Sequence, residues 1–364
     1  MKTRLPVILL ASMLIIGCSN SGPEGTEESQ PEQVQPDEGG SEEQETAAQP
    51  VEAESLAENL KIPWSINKIN DLFYISERLG SIIRVEDGQQ TRQEVSLEKP
   101  LADAAEAGLL GFVLVPGETD RAFAYYTYQD NGQFNRIVEL ELTGDVWKET
   151  RLILDKIPSG NVHHGGRLKI GPDGKLYATA GDAAVPENAQ DLNSLGGKIL
   201  RLNLDGSVPA DNPFRDSYVY SYGHRNPQGL AWDEDGTMYA SEHGPSAHDE
   251  INVIEPGKNY GWPEITGDEK KEGMVIPLFQ SGEDTWAPSG MAVHDGKLYV
   301  AALRGNAVRE FDPATKETRA AVTGFGRIRD VWIDGNDLYF VSNNTDGRGN
   351  PAGDDDKLYR IKLK

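Results

Sequence analysis

A short pattern of turn and apolar residues recurs along most of the chain. Each copy has a turn rich in Asp, Gly or Asn, followed by a short apolar strand with a tyrosine near its start. The six tyrosines are Tyr74, Tyr126, Tyr177, Tyr239, Tyr299 and Tyr339, at intervals of 52, 51, 62, 60 and 40 residues. A unit of about fifty residues without a long helical period predicts an all-β, six-bladed β-propeller of four-stranded antiparallel blades. A pair of β-sandwiches with coincidental turns is the alternative.

The repeat assigns residues 55–364 to one propeller domain, with about 52 residues in each blade. Blades of a propeller surround a central channel, and the loops at one end of that channel form a shared cup. Polar motifs that are far apart in sequence can therefore meet at a single ligand site.

The first residues have the pattern of an export signal. Lys2 and Arg4 precede thirteen mostly apolar residues, and Cys18 follows Gly17. This apolar stretch is too short for a membrane span, which needs roughly 20 residues. We therefore predict a lipoprotein signal peptide at residues 1–17 and lipidation of Cys18, which would anchor the protein to a membrane outside the cytoplasm. An ordinary secretory signal with an incidental cysteine is the alternative.

Residues 18–54 differ in composition from everything that follows. Residues 19–54 carry eleven acidic and no basic side chains, with Pro, Gln, Gly and Ser between them. Such a segment cannot bury enough apolar surface to fold, so we expect a disordered acidic tether. The domain after it has 33 Lys and Arg against 48 Asp and Glu, a net charge of −15. This charge argues against a nucleic-acid partner, and a monomer is expected.

Four polar motifs stand out within the predicted domain. They are YGHRNPQGLA at residues 222–231, VHHGGRL at 162–168, EHGPSAHDEIN at 242–252 and GRIRD at 326–330. Arg225 and Asn226 lie in the first motif, between predicted strands at 217–221 and 230–233. A guanidinium next to an amide suits a planar anionic ligand, because the guanidinium offers a fixed fork of donors. Arg327 and Arg329 are expected on one side of an extended strand.

Together these motifs resemble the PQQ-dependent soluble aldose and glucose dehydrogenases, the glucose/sorbosone dehydrogenase family. The similarity runs from about Leu60 to the C-terminus. It implies oxidation of an aldose sugar at its anomeric carbon to a lactone, with PQQ and Ca²⁺ as cofactors. General-base proton removal and hydride transfer to the Ca²⁺-bound quinone are the implied steps. The sugar and the electron acceptor stay open.

The resemblance also implies roles for individual residues. His163 matches the catalytic base, Asp182 the aspartate that orients it, and Arg225 a group that stabilises developing negative charge. Histidine suits proton removal because its ordinary pKa near 6.5 leaves it largely neutral at pH 7. A turn-capping role is the alternative for Asp182. The neighbouring His164 is expected to point elsewhere, in a structural role or on the rim of the site.

The same resemblance implies which residues bind the cofactor, the substrate and the metal ions. The implied cofactor-binding residues are Arg225, Asn226, Gln228, Arg304, Arg327 and Arg329. The glucose enzymes carry Lys-Arg-Gly where this chain has Leu303-Arg304-Gly305, so Arg304 is only a substitute for that lysine. Glu106 and Trp286 are expected near the substrate, although Trp286 could equally belong to the core. The implied metal ligands are Gly244 and Pro245 for one Ca²⁺ and Asp249, Glu250 and Tyr260 for a second.

Two other classes of function compete with this hypothesis. A calcium-dependent lactonase or esterase on a propeller would not need the set Arg225, Arg327 and Arg329. A surface-anchored propeller could bind glycans or a protein without turnover, and would not need both His163 and Asp182.

Overall fold

The computed structural model describes residues 52–363, which consist almost entirely of β-strands. The predicted signal peptide, Cys18 and all but the end of the predicted tether lie outside these residues. One 3-10 turn, Pro186–Ala189, is the single helical element of the described part. No helix there is long and apolar enough to cross a membrane. The all-β prediction is confirmed.

The described residues contain 24 strands. In chain order they are β1 (Glu54–Ala57), β2 (Pro63–Ile69), β3 (Leu72–Glu77), β4 (Ser81–Glu86), β5 (Gln89–Ser96), β6 (Leu109–Leu114), β7 (Arg121–Gln129), β8 (Gln133–Thr143), β9 (Val146–Pro158), β10 (Leu168–Ile170), β11 (Leu176–Ala180), β12 (Lys198–Leu202), β13 (Val219–Tyr222), β14 (Pro227–Trp232), β15 (Met238–Glu242), β16 (Glu250–Ile254), β17 (Phe279–Gln280), β18 (Pro288–His294), β19 (Lys297–Ala302), β20 (Ala307–Phe311), β21 (Thr318–Thr323), β22 (Ile328–Asp334), β23 (Asp337–Ser342) and β24 (Leu358–Lys362).

These strands form four sheets of four strands and one sheet of eight. Three of the small sheets are consecutive antiparallel runs: β10 to β13, β14 to β17 and β18 to β21. The fourth combines β22, β23 and β24 with β1, so that Glu54 pairs with Arg360. The eight-stranded sheet contains two antiparallel runs, β2 to β5 and β6 to β9, joined by a short parallel pairing of β5 with β9.

The predicted tyrosine repeat corresponds to a fixed place in these sheets. Each of the six tyrosines lies on the second strand of a four-strand run, β3, β7, β11, β15, β19 or β23. The first strands of the runs touch one another in a ring, in the order β2, β6, β10, β14, β18 and β22, and β22 touches β2. Apolar clusters fill the space between neighbouring runs, as where Trp147 packs edge-on against Tyr74 and Phe112.

A buried ion pair connects several of the first strands. The Arg167 guanidinium donates to Asp330 Oδ2 (3.0 Å) and to the backbone oxygen of Gln228 (2.8 Å). Asp330 Oδ2 also accepts the backbone N–H of Ile66 (2.8 Å). Trp64 covers the guanidinium, 4.2 Å from its ring centre. Residues from β2, β14 and β22 are thus fixed to one another at the middle of the ring.

Candidate active site

The central cavity lies where the first strands begin. It has a volume of about 340 Å³, including the solvent at its mouth. Trp64, Leu110, Gln228 and Arg329 reach it from the starts of β2, β6, β14 and β22. The other lining residues are Arg78, Glu106, His164, Gly165, His243, Leu303 and Arg348. Residues from distant parts of the sequence therefore meet here.

Two further cavities adjoin the central one. A smaller cavity of about 250 Å³ shares His243 with it and is lined by Arg225, among others. A wide cleft of about 1040 Å³ shares Leu303 and Arg348 with it and is lined by Arg327, among others. Arg225, Arg327 and Arg329 thus line three different cavities, and the central cavity shares lining residues with each of the other two.

His163 and Asp182 form a hydrogen-bonded pair beside the central cavity. The two atoms His163 Nδ1 and Asp182 Oδ1 are 2.8 Å apart. An ionised carboxylate only accepts, so Nδ1 carries the proton and Nε2 has a free lone pair. Gly181 allows this close approach, because a Cβ there would collide with the backbone oxygen of His163. The His163 side chain is 16% exposed and lies next to the cavity rather than on its lining.

Asp182 is held from several sides. Its Oδ1 also accepts the N–H of Ala184 (2.7 Å), so the carboxylate caps a turn as well. Its Oδ2 accepts the indole N–H of Trp262 (2.9 Å). Trp262 in turn stacks near the Arg225 guanidinium, 5.4 Å from the ring centre. The orientation of His163 is therefore fixed by groups from three separate loops.

Glu106 joins the histidine to the cavity. Its Oε2 accepts the backbone N–H of His163 (3.2 Å), and its Oε1 accepts from Arg348 (3.1 Å). Burial alone would raise the pKa of Glu106, but the charge that His243 carries when protonated, the charge of Arg348 and the N–H of His163 outweigh it and lower that pKa to about 2. Burial lowers the pKa of His243 itself to about 4, so Arg348 and the N–H of His163 are the groups that act at neutral pH. Glu106 is thus an anion at every physiological pH.

The arginines of GRIRD are buried rather than exposed. Arg329 donates to Gln228 Oε1 (2.9 Å), and burial lowers its pKa to about 9. Arg327 donates to Asp346 Oδ2 (2.9 Å), and burial lowers its pKa too. Burial also lowers the pKa of Arg225, whose guanidinium donates to the backbone oxygen of His243 (3.2 Å). These guanidiniums are positively charged, and their burial leaves little water to solvate that charge.

The remaining residues of YGHRNPQGLA position the surrounding backbone. Asn226 Oδ1 accepts the N–H of Gly165 (3.0 Å) and a weaker bond from Gln228 (3.4 Å). The turn is shorter than predicted, because β13 ends at Tyr222 and β14 begins at Pro227. Gln228 is therefore a strand residue whose side chain faces the central cavity.

Two predicted residues lie away from the central cavity. Arg304 is exposed and lines only the outer cleft. Trp286 is half-buried and packs edge-on against Phe311, with ring centres 5.1 Å apart, at the side of a core cluster of the β14–β17 and β18–β21 sheets. It lines none of the three cavities.

Protein donors surround the carboxylate of Asp249. Its Oδ2 accepts from the Thr285 hydroxyl and from the backbone N–H groups of Trp286 and Ala287, at 2.7 to 2.9 Å. Its Oδ1 accepts the N–H of Gly244 (3.0 Å). Four donors occupy the buried carboxylate, so it organises a loop. Within residues 52–363 no group of three or more His, Cys, Asp or Glu side chains surrounds a metal position.

The other predicted metal residues line the smaller cavity. They are Gly244, Pro245, Glu250 and Tyr260. Glu250 is paired across the sheet with Glu242, which lines the same cavity. Burial and the Glu242 carboxylate raise the pKa of Glu250 to about 8. The Tyr260 hydroxyl is already used, since it donates to the backbone oxygen of Val253 (2.6 Å).

Sequence reasoning missed four residues of this site. Arg78, His243 and Arg348 line the central cavity, and Trp262 supports Asp182. His243 lies within EHGPSAHDEIN, which was interpreted only as a calcium motif. The other three lie in loops whose side chains reach the site only through the fold, so no local pattern marks them.

His164 gives the protein a predicted sensitivity to acid. It faces the central cavity, and burial lowers its pKa to about 4. Below its ordinary pKa of about 6.5 the unfolded chain binds a proton that the folded chain refuses, so stability falls as the pH drops from 6.5 to 4. In His164→Gln, we expect this fall in the free energy of unfolding to shrink by up to about 3 kcal/mol. Urea unfolding at several pH values measures it, and an unchanged slope would contradict the assignment.

Comparison with known proteins identifies relatives over most of the chain. A model of the Glucose / Sorbosone dehydrogenase family matches residues 60–359. Aldose sugar dehydrogenase YliI of Escherichia coli is 31% identical over 328 residues, covering 77% of this chain and 86% of the relative. Quinoprotein glucose dehydrogenase B of Acinetobacter calcoaceticus is 33% identical over 247 residues. That match covers 58% of this chain and about half of the relative's length, 52%.

A similar fold is found among solved structures. The PQQ-bound form of aldose sugar dehydrogenase from Streptomyces coelicolor superposes with a TM-score of 0.80 at 35% sequence identity. The match covers 87% of this chain and 100% of that chain.

Proposed function

Because the chain belongs to the Glucose / Sorbosone dehydrogenase family, we propose that it oxidises aldose sugars at the anomeric carbon to lactones, with PQQ as the cofactor. The protein is a quinoprotein oxidoreductase in this proposal. Its substrate is a small aldose, and a separate acceptor takes up the electrons.

The observation that carries the proposal is an excess of positive charge around the central cavity and its two neighbours. Arg78, Arg329 and Arg348 line the central cavity against one carboxylate, that of Glu106. In the described part of the chain, the buried Nε atoms of Arg327 and Arg329 and the Nε2 of His243 have no hydrogen-bond partner. Buried charges and donors of this kind call for an anionic ligand, and PQQ carries three carboxylates.

The chain's own residues account for binding and proton removal. Nε2 of His163 takes the proton of the anomeric hydroxyl, and Asp182 stabilises the imidazolium that forms. Arg225, Asn226, Gln228, Arg327 and Arg329 hold and orient the cofactor, with Arg304 at the outer edge. When bound, PQQ would supply the hydride acceptor for this oxidation, and Ca²⁺ would supply a Lewis acid. Glu106 lies beside His163, where a sugar hydroxyl can bond to it.

The Ca²⁺ of this proposal would lie in the smaller cavity. Gly244, Pro245, Glu242 and Glu250 line that cavity, and their backbone and side-chain oxygens would serve as ligands. Burial first and the Glu242 carboxylate second raise the pKa of Glu250, and a cation bound beside it would lower that pKa again. Oxygen donors of this kind are what Ca²⁺ prefers. A second ion at Glu250 and Tyr260 would have to bind without the side chain of Asp249.

The same proposal covers architecture and location. Six four-strand runs around a ring correspond to a six-bladed β-propeller, in which β1 completes the last blade. We place the catalytic domain at residues 55–364, after a lipidated Cys18 and an acidic tether at 18–54. The protein then acts as a monomer outside the cytoplasm, anchored to a membrane by lipid.

Reconstitution tests this function directly. Apo-protein supplied with PQQ and Ca²⁺ is expected to oxidise at least one sugar of a panel of mono- and disaccharides, with a dye as electron acceptor. Each activity is compared with that of protein lacking PQQ. A lactonase, or a propeller that only binds ligands, would show no stoichiometric binding in a PQQ titration followed by absorbance. That result together with no dye reduction would overturn the proposal.

A further inference from the structure

Arg348 occupies the junction of two cavities. With Leu303, it lines both the central cavity and the outer cleft. Its loop, between β23 and β24, thus reaches into the middle of the site. The other cations of these two spaces lie on one side or the other: Arg78 and Arg329 in the central cavity, Arg304 and Arg327 in the cleft.

Two carboxylates hold the Arg348 guanidinium in place. Its Nε donates to Asp346 Oδ2 (3.1 Å), and its Nη1 donates to Glu106 Oε1 (3.1 Å). Asp346 also accepts from Arg327 (2.9 Å). One carboxylate is therefore shared by two guanidiniums. With Arg78 and Arg329 of the central cavity, four guanidiniums face the two carboxylates Glu106 and Asp346, so the positive charge is in excess. Arg348 is also oriented before any ligand arrives, which lowers the entropic cost of binding.

Leu303 lies beside Arg348 and brings no charge to the same boundary. Arg304, its neighbour in sequence, is exposed and lines the cleft alone. An anionic group of a ligand at the boundary between the central cavity and the cleft would therefore find one cation there, Arg348, and no charge at Leu303.

We propose that Arg348 is a cofactor-binding residue, which bonds a carboxylate of PQQ at the boundary that the central cavity and the cleft share. This assignment rests on the proposed function. Arg348 then supplies, from the last loop of the chain, the cation that Leu303 does not provide. It also connects the cofactor site to Glu106, whose other oxygen accepts the N–H of His163.

Binding of PQQ itself tests the assignment. The full chain is equilibrated with PQQ and Ca²⁺ by dialysis, and bound PQQ is measured by its absorbance. Arg348→Leu is expected to raise the Kd about 10- to 100-fold, the loss of one charge-assisted hydrogen bond. Arg348→Lys keeps the charge and is expected to lose less. Circular dichroism and the Tm show whether each variant is folded.

Arg121→Leu is the matched control. Arg121 is 42% exposed and pairs with Glu118 and Glu139, while Arg348 is 46% exposed and pairs with Glu106 and Asp346. Arg121 lies on β7 and lines none of the three cavities. Its removal is expected to leave the Kd unchanged.

Moving the positive charge from position 348 to position 303 shows whether Arg348 contacts PQQ directly or acts on its binding through other residues. In the double variant Leu303→Lys with Arg348→Leu, a lysine at the same boundary is expected to recover part of the lost affinity. Glu106→Gln tests the indirect route, and it is expected to weaken PQQ binding far less than Arg348→Leu does, because Asp346 still orients the guanidinium.

The outcomes distinguish the two proposals. If Arg348→Leu binds PQQ as tightly as the wild type, or if Glu106→Gln weakens binding as much as Arg348→Leu does, the assignment of Arg348 is overturned while the proposed function stands. If the wild type binds no PQQ, the proposed function is overturned and this assignment with it.

Discussion

Replacing His163 by glutamine is expected to lower kcat for aldose oxidation about 100- to 10,000-fold, the usual contribution of a positioned general base. The reason is the pairing of Nδ1 with Asp182, which leaves Nε2 as the proton acceptor. Because His163 lies beside the cavity and not on its lining, PQQ affinity should stay close to that of the wild type. Steady-state kinetics and a PQQ titration on the same preparation measure both quantities.

Two further variants make this result specific. Asp182→Asn keeps the size of the side chain but no longer fixes the tautomer of His163, so kcat should again fall steeply. His294→Gln, at the end of β18, replaces a histidine outside the three cavities and should keep full activity. If His163→Gln retained more than about a tenth of the wild-type kcat, proton removal would have to be assigned to another group.

Asp330→Ala is expected to lower the free energy of unfolding by about 3 to 5 kcal/mol, because it leaves the buried Arg167 guanidinium without its carboxylate. It also removes the acceptor for the N–H of Ile66, so that β2 and β22 lose a connection. Chemical denaturation measured at pH 7 gives the change. The loss should exceed that of any single exposed ion pair in the protein.

Two comparisons show whether the buried charge is the cause. Asp334 lies on β22, as Asp330 does, and is the exposed ion-pair partner of Lys68. Asp334→Ala should lower the free energy of unfolding by no more than about 1 kcal/mol. Replacing both Arg167 and Asp330 by apolar residues should recover part of the stability, since no charge stays buried alone. A double variant less stable than Asp330→Ala would contradict this explanation.

The repeat of the fold could be predicted because it depends on local chemistry. A turn followed by a buried strand needs the same residue types in each copy, and each tyrosine of the pattern lies on the second strand of a four-strand run. The pairing of His163 with Asp182 is local as well. His163 lies shortly before β10 and Asp182 shortly after β11, and these two strands pair with each other.

The parts that escaped prediction depend on distant contacts. Asp249 has the residue type and the spacing of a calcium ligand, but four hydrogen-bond donors occupy its carboxylate. Three of these donors belong to a loop more than thirty residues away. Arg348 reaches Glu106 across 242 residues of sequence. A single sequence shows residue types at such positions but not which of them meet.

The pairing of β1 with β24 has a consequence for biogenesis. One sheet takes its first three strands from the end of the polypeptide and its fourth from residues 54–57. During translation β1 is made about three hundred residues before its partner β24. This sheet can therefore be completed only after β24 has been synthesised, and a variant lacking β24 would leave β1 without a partner strand.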